Sequence, residues 1–337
     1  MKKATKTISV ILLFAVTAAL LTNPKTYTAS VLYGFELFVF SVLPSLFPFL
    51  VLSRAILNVG GFDGVSGIIG KIFKKIYGVP PSGGYVFLLG LLSGYPVGAK
   101  LTADMYLSGR LSLSEARTTA AFSSLSGPLF IISLIGGAIL KNASAAVLIL
   151  LCHYLSAIIT GLFFKEKKQK GNAEAIDFTL KIPEQNSLPP QKDGGTIGDT
   201  VYSAVSSVLL IGGFIAVFNM FCDMLIGSGL LAPVAALLTK LTNNGDASLA
   251  ILLSFVEMTR GIFALGASGL PLNFSVPLIC ALVSFGGLSV TLQSLAFLNR
   301  AGISAFSYLK IKTVQSITAG LLATVVILIL NLLHISL

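Results

Sequence analysis

The sequence predicts an all-α polytopic membrane protein built from two inverted repeats, each with an interfacial helix, a re-entrant hairpin and a broken transmembrane helix. Three observations carry that prediction. The chain is 55% hydrophobic and only 11% charged, more apolar than a soluble domain of 337 residues can bury. Apolar runs of spanning length recur between short polar or Gly/Pro-rich joints. The same order of segments then occurs twice, and an ungapped shift that carries Lys100 onto Arg260 also carries Ser108–Gly109 onto Ser268–Gly269, Ser124 onto Ser284 and Gly127 onto Gly287.

Taken in order, the apolar runs place spans near 7–23, 29–57, 113–140, 143–164, 201–225, 274–299 and 311–335. The first follows Lys2, Lys3 and Lys6 and resembles a signal peptide, but no small-x-small cleavage site follows it, so an uncleaved helix is expected over 1–28. Segments 82–107 and 246–268 differ from the rest. Each carries charge and helix breakers at its centre, GYPVGAK at 94–100 and EMTRG at 257–261.

Charge bias decides whether those two segments cross. If both are re-entrant, the N-terminus is cytoplasmic together with Arg54, Lys71, Lys74, Lys75, Arg110, Arg117, the cluster Lys165, Lys167, Lys168 and Lys170, and then Arg300, Lys310 and Lys312. If both cross fully, the 165–170 cluster falls outside, against the rule. Hairpins are therefore expected.

An amphipathic helix precedes each hairpin. Phe62, Val65, Ile68, Ile69, Ile72, Phe73 and Ile76 recur at helical spacing opposite Lys71, Lys74 and Lys75, and Leu230, Leu231, Val234, Leu237, Leu238 and Leu241 form the second such face. Each copy has three full crossings, an odd number, so the second copy is inverted relative to the first. The expected organisation is an N-terminal helix at 1–28, a first repeat at 29–164, a flexible cytoplasmic linker at 165–198 that opens with KEKKQK, and the inverted repeat at 199–337.

Charge in the middle of a bilayer costs about 2.5 to 3.5 kcal/mol per residue, so Lys100, Asp104, Glu257 and Arg260 stand out. Two readings compete. Lys100 can pair with Asp104 at i, i+4 and Glu257 with Arg260 at i, i+3, or the hairpin tips can face a wet cavity, because their broken backbone has no partner in lipid. On the second reading the solute contacts are Gly94, Tyr95, Pro96, Gly98 and Lys100 at the first tip, and Glu257, Thr259 and Arg260 at the second. Ser124, Ser126 and Gly127 interrupt the first broken helix, with a half-helix expected to start at Pro128. Ser284, Gly286, Gly287 and Ser289 interrupt the second. Two cationic tips and half-helix N-termini favour an anionic solute, while Asp104 and Glu257 are candidates for ion coupling. Glu36 and His153 read as satisfied core groups.

Other classes find little support. The +10 formal charge sits in joints between spans rather than along one face, which argues against nucleic acid. Cys152, Cys222 and Cys280 lie far apart in apolar runs with no metal motif, so they read as core residues. No metal, cofactor or enzymatic motif is expected. The nearest approach to a phosphate loop, Gly64 to Lys71, has its first glycine one position early and Ile72 where Ser or Thr is needed.

The run SGYPVGAKLTADMYLSGRLSLSEARTTAAFSSLSGPLF, together with EMTRG and SFGG in the second half, resembles the YlbJ sporulation membrane proteins, also called SpoVV, of endospore-forming bacteria. The layout is also similar to nucleoside-recognition, or Gate, domains and more distantly to concentrative nucleoside transporters. The resemblance implies a role in spore formation, in the cell membrane or the outer forespore membrane, moving dipicolinic acid, a small aromatic dicarboxylate. It implies solute contacts at 94–100, 123–128, 257–261 and 284–289. The expected partners are an anionic solute and membrane lipid, with a homo-oligomer left open. The polar hairpin residues that nucleoside carriers use for ribose are absent at Val97 to Lys100. Two other functions compete with organic-anion transport, a nucleoside carrier and a non-transporting membrane gate or scaffold.

Overall fold

The computed structural model describes residues 2–58, 63–165, 197–335 and 337, and every regular element among them is helical. Helix α1 (Lys2–Thr22) ends at Asn23, and Pro24 at the first position of α2 (Pro24–Leu37) starts the next helix. A π-helical turn at Phe38–Val42 joins α2 to α3 (Leu43–Asn58), which carries Pro48, and the two parts meet at 58°.

The amphipathic helix α4 (Asp63–Tyr77) exposes Ile68, Ile72 and Ile76 and buries Phe73 and Tyr77. It turns by 110° into α5 (Pro81–Ser93), through Gly78 at φ +75° and the Pro80–Pro81 pair. Rings of Phe73, Tyr77, Phe87 and Phe122 pack within 4.7 to 6.0 Å of one another at this elbow, and the Tyr77 hydroxyl donates to the Ile158 carbonyl at 2.7 Å.

Thirteen residues of α5 and eleven of α6 (Val97–Leu107) give arms of about 20 and 16 Å, short of the roughly 30 Å hydrocarbon core. The arms pack against each other, close enough that a Cβ on Gly90 would lie 3.4 Å from the Gly98 Cα. They therefore form a hairpin. Helix α7 (Leu113–Ser123) opens with a reciprocal Ser112/Glu115 capping box, breaks at residues 124–127, and resumes at Pro128 before widening into a π-helical segment over Phe130–Ile139. Asn142 caps α8 (Ala143–Phe163). The expected linker lies mostly outside the described residues.

The second half repeats this order. Helix α9 (Ile197–Gly227) corresponds to α2 and α3, and α10 (Ala232–Thr242) corresponds to α4. The pair α11 (Gly245–Val256) and α12 (Met258–Ala267) corresponds to the hairpin, with arms of twelve and ten residues packed side by side. Helices α13 (Leu272–Phe285) and α14 (Gly287–Leu298) correspond to the broken helix, and α15 (Ala305–Leu332) to α8. Gly286, left-handed at φ +85°, makes the second break.

Packing between halves is reciprocal. Arm α6 of the first hairpin lies on α14, and arm α12 of the second lies on the 130–139 segment. Helix α2 runs along α9, and α8 along α15. Such exchange is what a pseudo-twofold axis in the membrane plane produces. Among the described residues four helices are long and apolar enough to cross a bilayer, Ala143–Phe163, Ile197–Gly227, Leu272–Ala301 and Ala305–Leu332, and the bent pair Pro24–Val42 and Leu46–Leu52 has the composition of a further span. Side chains such as Leu321, Val325, Leu328 and Leu332 point outward from α15, as lipid contact requires. The protein is an all-α, multi-pass membrane protein.

Candidate functional site: a cavity where hairpin tips and helix breaks meet

Each hairpin tip is seated on the break of its own repeat. Gly94, at φ +73°, approaches Gly127 so closely that an added Cβ would lie 2.5 Å from the Gly127 nitrogen, and a Cβ on Gly98 would overlap the Ser123 carbonyl. In the second repeat a Cβ on Gly287 would lie 2.7 Å from the Ser254 carbonyl and 3.3 Å from the Met258 nitrogen. Backbone meets backbone at both places, which only glycine allows. The Tyr95–Pro96 bond is cis.

Between the two assemblies lies a small pocket, partly open to its surroundings. Its apolar wall is Val42 and Leu46 of the first bent helix, Phe130, Ile211 and Ile215, Met258 and Val290. Its polar lining is Tyr95, Ser126 and Gly127 from the first repeat, and Glu257, Thr259, Ser289 and Gln293 from the second. The cavity thus gathers residues from both tips and both breaks.

The charged residues divide sharply. Glu257 lines the cavity, is 1% exposed, and caps α12 by accepting the Arg260 backbone N–H at 2.7 Å. A carboxylate at a helix N-terminus is favourable through the helix dipole. The Arg260 guanidinium points elsewhere, to the Asp223 carboxylate on α9 at 2.5 Å and the Asn219 carbonyl at 3.1 Å, with the Tyr33 ring 5.6 Å from its carbon. Lys100 pairs with Asp104 at 2.6 Å along one turn, and both side chains are at least 31% exposed. Neither cationic side chain at the tips lines the cavity, and nor does Asp104.

The remaining sequence-selected residues build the frame. Gly94, Gly98, Gly286 and Gly287 permit the close approaches, and Pro96 precedes the first residue of α6. The Ser284 hydroxyl meets His153 Nδ1 at 2.7 Å. The other imidazole nitrogen, Nε2, accepts the Ser126 backbone N–H at 2.9 Å. That contact fixes the tautomer, because the hydrogen then sits on Nδ1 and is donated to Ser284. A single neutral histidine on α8 thereby ties the break of one repeat to the break of the other.

Lys312 is the group that sequence reasoning misplaced. Counted as a cytoplasmic flanking charge, it is fully buried on α15, donating to the Tyr95 hydroxyl at 2.6 Å, the Gln315 side-chain carbonyl at 2.7 Å and the Ser124 carbonyl at 3.1 Å. A polar stripe of Tyr308, Lys312 and Gln315 at helical spacing in an otherwise apolar span is the signal that could have found it. Asp223, 37 residues before its partner, carries no local signal.

The chain is 28% identical to the sporulation integral membrane protein YlbJ of Bacillus subtilis, over 90% of this chain and 78% of that protein. The chain is thus similar to a sporulation integral membrane protein across most of its length. No family model matches the chain, and no solved structure matches it. The site therefore rests on this chain's own geometry. That geometry offers a partly open chamber with an apolar wall, with hydroxyl, amide and carboxyl groups in its lining, and with helix starts at Val97, Pro128, Met258 and Gly287 close to lining residues.

Proposed function

We propose that this protein belongs with the YlbJ sporulation membrane proteins it resembles and is a secondary or facilitative transporter of a small organic anion, with dipicolinate during spore formation as the leading solute and the outer forespore membrane as its place. The observation that carries the proposal is the position of the cavity. It lies where two hairpins and two broken helices from opposite repeats converge, so rocking one repeat against the other would expose it to alternate sides.

The preference for an anion now rests on backbone rather than on side chains. Four helices begin within a few residues of the lining, and each N-terminus carries roughly half a positive charge with free N–H donors. Glu257 occupies one of them. The other three, with the hydroxyls of Ser126 and Ser289, are the donors for carboxylates, and Phe130 and Val290 supply apolar surface for a ring.

A nucleoside carrier is the second reading, and Glu257 favours it. A carboxylate in the wall repels a dianion and accepts N–H or O–H groups from an uncharged solute, and Gln293 lies in the same lining. Proteoliposomes given labelled dipicolinate, a labelled nucleoside and a labelled simple dicarboxylate side by side separate the two. The anion reading expects dipicolinate to accumulate and Glu257→Gln to raise its rate. Nucleoside movement without dipicolinate movement, lost in Glu257→Gln, would establish the second reading instead.

A further inference from the structure

Behind the cavity wall sits the buried amino group of Lys312, which no carboxylate contacts among the described residues. All three Lys312 contacts are to neutral oxygens, and each belongs to a different element: the first hairpin tip through Tyr95, the first helix break through Ser124, and α15 itself through Gln315. Burying a lone cation in a membrane protein is costly, and a Leu or Met at 312 would span the bilayer without that cost. Three oxygens at 2.6 to 3.1 Å satisfy the three N–H donors and offset part of it.

The surroundings hold unused polar capacity. The Ser124, Ser294 and Tyr308 hydroxyls and the Gln315 amide nitrogen are all buried without a partner. Tyr308 lies beside Ser124 and Ser294 without a well-formed hydrogen bond to either. The titratable groups that face Lys312 are Tyr95 on the hairpin, Tyr308 one turn away on α15, and His153 on α8. His153 is neutral by its hydrogen bonds, so Lys312 is the group of this cluster that can carry a positive charge.

Tyr95 links this cluster to the solute. Its hydroxyl accepts from Lys312, and the same residue lines the cavity. We propose that Lys312 is the proton-binding site of the carrier, a clasp that holds the first hairpin tip and helix break on α15 when protonated and frees them when the proton leaves. The proton departs from Nζ to water in the opened cavity. The resulting amine keeps two N–H groups but loses the charge-assisted bonds that held Tyr95 and Ser124. Since the charged form is the closed form, the clasp is shut at low pH and opens as pH rises. The second hairpin has no counterpart, because its tip is fastened by the Arg260–Asp223 pair. Coupling to transport rests on the function proposed above, whereas the clasp does not.

Hydrogen exchange of the full chain in lipid nanodiscs, at one pH and without solute, tests the clasp. Lys312→Met is expected to exchange about tenfold faster over residues 93–98 and 124–128, with 254–260 unchanged, and Lys312→Arg to stay protected. Equal loosening of both tips, or of neither, overturns the clasp. Proteoliposomes loaded with a pH-sensitive dye and given a dipicolinate gradient test the coupling. Wild type is expected to move protons with the solute, and Lys312→Met and Lys312→Arg to move none. Unchanged proton flux in either variant overturns the proton site, and solute movement by wild type without protons does the same. If dipicolinate does not move at all, the solute assignment falls and the exchange result alone decides the clasp.

Discussion

The two hairpin tips share a backbone plan and differ in how they are fastened. The first has glycines at 94 and 98, a partly exposed Lys100–Asp104 pair outside the lining of the chamber, and a buried lysine, Lys312, reaching it from the last helix. The second carries its own cation, Arg260, tied outward to Asp223 and Asn219 on α9, and turns a carboxylate, Glu257, to the chamber. Similar folds in the two repeats thus carry opposite charge arrangements.

The sharpest way to break this comparison is at the second tip. Arg260→Ala leaves Asp223, 24% exposed, without its partner in a partly buried pair, and about 3 kcal/mol of stability should go with it. Thermal unfolding in detergent checks this, and the paired Arg260→Ala, Asp223→Ala variant should recover part of the loss. A fall no larger than that of Lys100→Ala would erase the distinction between the tips.

His153 stands between the repeats, so its removal probes both at once. His153→Ala strands the Ser126 N–H and the Ser284 hydroxyl in a dry interior, at about 1 to 3 kcal/mol for each group left unsatisfied. Unfolding curves should shift, and hydrogen exchange should rise at 124–128 and 284–287 together. A response confined to one break would show that the bridge is one-sided.

The smallest effect belongs to Lys100. Its pair with Asp104 is partly exposed and lies along one helical turn, worth about 0.3 to 0.5 kcal/mol before screening. Lys100→Ala should therefore unfold within error of wild type and transport normally. Loss of transport with normal insertion would restore Lys100 to the solute site and sharpen the case for an anion held by side chains.

Local signals explain what the sequence made legible. Pro128 at a helix start and Gly286 at a left-handed position mark both breaks, since each residue type has a narrow backbone preference. The charge in the middle of two apolar segments exposed the hairpins, because a segment with a broken centre lacks the length to cross. Side-chain partners were another matter. Lys312 meets Tyr95 across 217 residues and His153 meets Ser284 across 131, distances over which periodicity carries no information. A charge near the start of a span reads as a cytoplasmic flank, so Lys312 was assigned to topology when tertiary packing had taken it into the core. Arg260 and Lys100 drew attention as a matched pair of cations at the tips, yet the backbone places both guanidinium and ammonium on the far side of their helices from the chamber.

The account stands on the chamber between the tips being the path of the solute. Val290 lines it from α14 and is 8% exposed, so Val290→Trp fills it without touching a charge or a hydrogen bond. Labelled dipicolinate exchange in proteoliposomes should fall at least about tenfold in this variant, with unfolding temperature and helix content kept near wild type. Exchange at the wild-type rate through a plugged chamber would contradict the account.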